Sequence, residues 1–134
     1  MYLLDTNACV QVLRGKSPGL VELLRGHAAS EIRLSSIVKA ELFYGARRSQ
    51  RVAENLSRVR RFAEPFVCLP FDDLCAEHYG LIRADLAPQG RPISAADLMI
   101  AATARAHDAI LVTHNVQEFA RVVGLRIEDW EAEA

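Results

Sequence analysis

Four short, mostly apolar runs divide the chain: Tyr2-Leu3-Leu4, Ile32-Arg33-Leu34-Ser35, Phe66-Val67-Cys68-Leu69 and Ala109-Ile110-Leu111-Val112. The stretches between them place apolar residues at helical spacing, as with Leu20, Leu23, Leu24 and His27. Continuous apolar strands separated by helices specify a parallel α/β sheet covered on both faces. Cap residues and breakers set the expected helix limits. These run from the Asp5-Thr6-Asn7 cap to about Arg14, from Gly19 to about Ala28, from a Ser36 cap to about Arg48, and from Arg51 to about Ala63. Two more run from about Asp72 to Leu86 and from Ala95 to His107, on either side of a Pro88-Gln89-Gly90-Arg91-Pro92 loop. Leu125 to Glu128 is a candidate edge strand. The expectation is one α/β domain over residues 1–134, with a central, mostly parallel sheet of four to five short strands flanked by helices.

A chain of 134 residues that is 51% hydrophobic and 25% charged can bury a core and is not a disordered segment. Its net charge of −1 gives no bulk signal of nucleic-acid binding, so any electrostatic footprint must be local. No apolar run reaches the roughly 18 to 20 residues of a membrane span. The amino terminus lacks the basic region and cleavage site of an export signal, so a cytoplasmic location without membrane contact is expected. Cys9, Cys68 and Cys75 are odd in number and not closely paired, which reads as core thiols in a reducing compartment. His27, His78, His107 and His114 lack metal-binding spacing, and His107 and His114 are not expected to ligate metal.

Three acids stand where acids are costly. Asp5 closes the first apolar run, at the carboxyl end of a strand, where ligands gather in parallel sheets. Its alternative role is to cap the following helix. With Ile37 set at zero and 100° per residue, Glu41 falls at about 40°, inside an apparent apolar arc formed by Ile37, Val38, Leu42 and Tyr44. An inward carboxylate needs a cation, either a metal or an arginine. Asp97 opens a helix that is apolar almost all round, where Ser94-x-x-Asp97 also matches a capping box. Two carboxylates about 4 Å apart repel by roughly 4 kcal/mol at an effective dielectric of 20, so three together call for a bound cation or a nearby arginine. Oxygen donors without His or Cys favour a hard ion, Mg²⁺ or Mn²⁺.

The order and spacing of several segments resemble the PIN-domain family, and within it the VapC-type toxins of toxin–antitoxin pairs. They are Leu3-Leu4-Asp5-Thr6-Asn7, Lys39-Ala40-Glu41-Leu42-Phe43-Tyr44-Gly45, Ile93-Ser94-Ala95-Ala96-Asp97, Leu111-Val112-Thr113-His114-Asn115 with Phe119, and Gly124 to Trp130. The resemblance covers nearly the whole chain. It implies a Mg²⁺- or Mn²⁺-dependent endoribonuclease whose catalytic acids are Asp5, Glu41 and Asp97, yielding a 5′-phosphate and a 3′-hydroxyl. It also implies a homodimer inhibited by a cognate antitoxin protein. The family often has a fourth acid in a Thr-x-Asp setting, and here that place holds Asn115. An amide can coordinate through its oxygen but carries no charge, so one metal ion is expected, with a second left open.

Thr6, Ser36 and Thr113 are candidates to orient a carboxylate or a water beside the site. Arg47, Arg48 and Arg51, at the start of a basic stretch that continues through Arg58, Arg60 and Arg61, are candidates to hold RNA phosphates. The same stretch also reads as a solvated helix face. Phe43, at about 240° on its helix, is either an exposed contact surface or buried by an irregular helix end. The rival to an enzyme is a catalytically impaired PIN-like module that binds RNA or protein. A haloacid-dehalogenase-type phosphatase would want Asp-x-Asp where Asp5-Thr6-Asn7 stands, and a receiver domain would want a late lysine, whereas the only lysines are Lys16 and Lys39.

Overall fold

A computed structural model of the protein describes residues 1–131. Five strands form one parallel sheet: β1 (Tyr2–Leu4), β2 (Ile32–Ser35), β3 (Val67–Leu69), β4 (Ile110–Val112) and β5 (Ile127–Glu128), in the order β3-β2-β1-β4-β5. Every pairing is parallel, as the continuous apolar runs require. The central strand places Leu3 beside Arg33 and Leu111, and Leu4 beside Val112. Leu3, Leu4, Ile32, Leu34, Leu111 and Val112 are all buried.

Among the described residues, seven α-helices connect and cover the strands: α1 (Thr6–Arg14), α2 (Pro18–Arg25), α3 (Ser36–Arg47), α4 (Val52–Ala63), α5 (Asp73–Leu86), α6 (Ala95–Ala106) and α7 (Val116–Phe119). Their ends follow local chemistry. Asp5 caps α1 by accepting the Ala8 N–H at 2.8 Å, and Gly15 ends it in the left-handed conformation that a residue without Cβ adopts cheaply. Ser35, rather than the expected Ser36, caps α3 by accepting the Val38 N–H at 3.0 Å. Helix α6 lies at the centre of the core, with Leu98, Ile100, Ala101, Ala102, Thr103 and Ala104 buried. Its one polar member there is satisfied, because the Thr103 hydroxyl donates to the Met99 carbonyl at 2.8 Å. No helix among the described residues is long and apolar enough to cross a membrane.

The exposed face of α3 differs from the expected one. Val38, Leu42 and Ala46 are buried, Lys39 and Phe43 are half-buried, and Tyr44 is 65% exposed. The buried arc is therefore centred near 140° on the scale used above, not near 40°. Helix α4 packs against α3, and the Arg60 guanidinium lies 5.9 Å from the centre of the Phe43 ring. That cover buries the side that sequence periodicity assigned to solvent. All three cysteines are free, with Cys9 and Cys75 buried and Cys68 half-buried.

Candidate active site

The carboxyl ends of β1 and β4 lie side by side, tied by the Asp5 N–H to the Val112 carbonyl at 3.1 Å. Asp5 follows β1 and is 3% exposed. Its carboxylate accepts the Ala8 N–H, and the hydroxyl of buried Thr113, which follows β4, also favours its charged form. Burial outweighs both and pushes its pKa from the ordinary 3.8 to about 6, with the charges of Asp97 and Glu131 adding to the rise. Asp5 is thus both the cap of α1 and a desolvated acid.

Glu41 sits at the margin of the buried face of α3, half-buried, and accepts a short hydrogen bond from the Thr6 hydroxyl. Asp97 lies in the first turn of α6 and is also half-buried. The Ser94 hydroxyl accepts the Asp97 N–H at 3.2 Å, so that half of the capping box is formed, while no hydrogen bond returns from the Ser94 N–H to the Asp97 carboxylate. Burial raises the Asp97 pKa first, and the charges of Glu118 and Glu41 raise it further. The ion pairs among the described residues are Arg51–Glu54, His114–Asp129 and Arg126–Asp108, and none involves Asp5, Glu41 or Asp97. The arginine explanation for these acids thus finds no support. Asp5 and Asp97 are desolvated acids without a cationic partner and feel each other's charge, which fits a divalent cation. No three of the site acids bring ligand oxygens within 4.8 Å of one another among the described residues.

Glu118, in α7, lies near enough to Asp97 for its charge to raise the Asp97 pKa, and was not singled out from the sequence. A four-residue helix is too short for its face to be read from periodicity. The Asn115 amide donates a short hydrogen bond to the Glu118 carboxylate. Asn115 itself is exposed, and its side chain does not cap α7. The hydrogen bond uses the Asn115 amide nitrogen, which leaves its oxygen free, and Glu118 beside it brings the negative charge that Asn115 lacks. The Ser36 hydroxyl donates to the Leu69 carbonyl at 3.4 Å and lies 3.7 Å from Cys68 Sγ, on the side of β3. The Thr6 hydroxyl donates to Glu41, and the Thr113 hydroxyl accepts the Asn115 N–H at 3.0 Å.

A cleft of about 240 Å³ adjoins Glu41, lined by Val10, Leu13, Arg14, Leu42, Gly45, Ala46, Ser49, Asn55, Arg58 and Val59. The cations lining this cleft are Arg14 and Arg58, whereas Arg47, Arg48 and Arg51 do not line it; all five are exposed. Arg51 pairs with Glu54 at 3.4 Å, and Arg48 lies over the Tyr44 ring at 5.5 Å.

A family model described as PIN domain matches residues 2–125. The chain is 41% identical, over 96% of its length and 97% of the relative's, to the tRNA(fMet)-specific endonuclease VapC of Shigella flexneri. Its fold superposes with a TM-score of 0.90 on a chain of DNA-bound VapBC from Salmonella typhimurium, at 38% identity and covering 96% of this chain and 97% of that one. VapBC2 from Rickettsia felis, bound to a DNA fragment from its promoter, gives the same TM-score at 36% identity, covering 96% and 98%. The parallel five-stranded sheet, the acids at its carboxyl edge and the match along nearly the whole chain agree: this protein belongs to the PIN-domain family, in its VapC-type group.

Proposed function

We propose that this chain is a divalent-metal-dependent endoribonuclease and the toxin of a toxin–antitoxin pair, acting as a single domain. The observation that carries the reading is the set of carboxylates from four separate elements, Asp5, Glu41, Asp97 and Glu118, with no arginine or lysine paired to them among the described residues. Asp5, Asp97, Glu41 and Glu118 would hold Mg²⁺ or Mn²⁺, which lowers the pKa of bound water and neutralises charge on the scissile phosphate. Glu118 supplies the fourth acid that Asn115 does not, and so restores the charge a second ion would need. The chain's own groups do the positioning. The Ala8 N–H holds Asp5, the Thr6 hydroxyl holds Glu41, and Asn115 holds Glu118. Arg14 and Arg58 are placed to meet the phosphates of an RNA strand entering the cleft.

Relatives named ribonuclease or endonuclease at 34% to 41% identity support catalysis over the rival reading of an inactive binding module. Structures of VapBC assemblies support a cognate antitoxin as partner, and the family resemblance supports a homodimer in the cytoplasm. The test is cleavage of tRNA(fMet) and of bulk structured RNA by wild type and Asp97→Asn, each with Mn²⁺ or Mg²⁺ and with chelator. Cleavage by wild type alone, and only with metal, is expected; equal cleavage by both proteins overturns the assignment.

A further inference from the structure

Away from the acidic edge, a second set of ligand-type side chains converges where α5 meets α6. One donor atom each from Asp72, Cys75 and His107 lie within 4.8 Å of one another. Two helices fix them, α5 for Asp72 and Cys75 and the end of α6 for His107. Asp72 is the cap of α5 and accepts the Cys75 N–H at 3.1 Å, which locks these two residues together. Cys75 is fully buried, and its thiol points toward the Pro70 carbonyl, 3.7 Å away. His107 is the residue that ends α6, with its N–H bonded to the Thr103 carbonyl.

His107 supplies the independent observation. Its Nε2 is buried and has no hydrogen-bond partner among the described residues. A buried imidazole nitrogen without a partner is costly and normally has one. Capping explains Asp72 and apolar packing explains Cys75, but neither explains His107. We infer that Asp72, Cys75 and His107 form a binding site for a borderline-soft divalent transition metal, Zn²⁺ above all. Thiolate, imidazole and carboxylate are the donor types this ion takes, and a tetrahedral shell separates its ligand atoms by about 3.4 Å, within reach of small side-chain rotations. Three protein donors leave the fourth position to water, on the exposed Asp72 side. On binding, Cys75 gives up its proton to solvent and the sulfur bonds the metal. Mg²⁺ does not compete here, because it avoids sulfur. The site is independent of the nuclease reading, since α6 at 1.5 Å per residue separates His107 from Asp97 by about 15 Å.

Cobalt(II) titration of the purified, metal-free full chain tests this, because Co²⁺ reports on thiolate ligation by a near-ultraviolet charge-transfer band that carboxylates do not produce. Wild type is expected to develop the band with saturation at one equivalent, and Zn²⁺ to abolish it by displacement. Asp97→Asn and Cys68→Ser should keep the band, whereas Cys75→Ser and His107→Asn should lose it. Asp72→Asn keeps the helix cap, so the fold is preserved, and should weaken Co²⁺ at least about tenfold. Absence of the band in wild type, its survival in Cys75→Ser, or unchanged affinity in Asp72→Asn would overturn the site.

Discussion

The first turn of α6 carries Asp97 among carboxylates, whereas the residue after its last turn, His107, meets one thiol and one carboxylate. The two ends share a helix and a buried core yet face opposite chemical problems. At the Asp97 end the difficulty is excess like charge, which only a cation or protons can relieve. At the His107 end it is an unpaired nitrogen beside a protonated thiol, which a soft metal would satisfy. The lesson is that donor type, not mere clustering, assigns the ion. Oxygen donors select a hard cation at one end, and mixed donors a softer one at the other.

The sharpest way to separate the ends is Asp97→Asn. RNA cleavage should fall by at least about 10²-fold, on the scale of losing a group that stabilises transition-state charge. The cobalt band at Cys75 should stay unchanged. His107→Asn should do the reverse, leaving cleavage intact while abolishing the band. If one substitution removed both signals, the two ends would be a single coupled system.

The next effect is on stability, and its sign depends on pH. Asp5 has a folded pKa of about 6 against an ordinary 3.8. Between those values the unfolded chain has already lost the proton that the folded chain keeps, so stability falls as pH rises. The penalty is complete above about pH 6 and absent below about pH 4. Two pKa units correspond to about 3 kcal/mol. In chelator, Asp5→Asn should therefore raise Tm at pH 7.5, since Asn caps a helix as well as Asp. The gain should vanish near pH 3.5. A variant less stable than wild type at pH 7.5 would show that Asp5 is not held against its own burial. Cleavage should be lost in either case.

The two ends also differ in how far they could be read from the sequence. The strands, the helix limits and Asp5 followed from apolar runs and cap residues, which are local signals. Glu41 was identified through an arc that the structure rotates by about 100°, because Tyr44 was counted as core and the packing of α4 over Phe43 is not local. It remains in the group because the margin of the buried face opens toward Thr6. Glu118 was missed and Asn115 preferred, since the choice between them depends on how a four-residue helix turns after β4. The Asp72, Cys75 and His107 cluster has no sequence signature at all. Cys75 and His107 are 32 positions apart, and only the packing of α5 on α6 brings them together.

A smaller effect is expected from Thr6→Val, which removes the hydroxyl that orients Glu41 while keeping its shape. Loss of such a supporting bond costs about 10- to 100-fold in activity or metal affinity. The deficit should shrink as Mn²⁺ is raised, if the bond acts by placing Glu41 for the ion. A deficit that ignores metal concentration would point to a structural role instead.

The smallest effects concern where RNA lies. Arg58 reaches the Leu13 carbonyl at the end of α1 and lines the cleft beside Glu41, whereas Arg51 lies off the cleft and is already paired with Glu54. A phosphate contact adds about one to the slope of log affinity against log salt, and exposed ion pairs contribute little to stability. Arg58→Ala should therefore weaken RNA binding several-fold and lower the salt slope by about one, measured with catalytically silent Asp97→Asn protein. Arg51→Ala and Arg48→Ala should change the slope much less, and His107→Asn not at all, because α6 carries that residue about 15 Å from Asp97. Should Arg51 and Arg48 instead dominate the slope, the RNA would run along the outer face of α4, and the cleft beside Glu41 would not be its path.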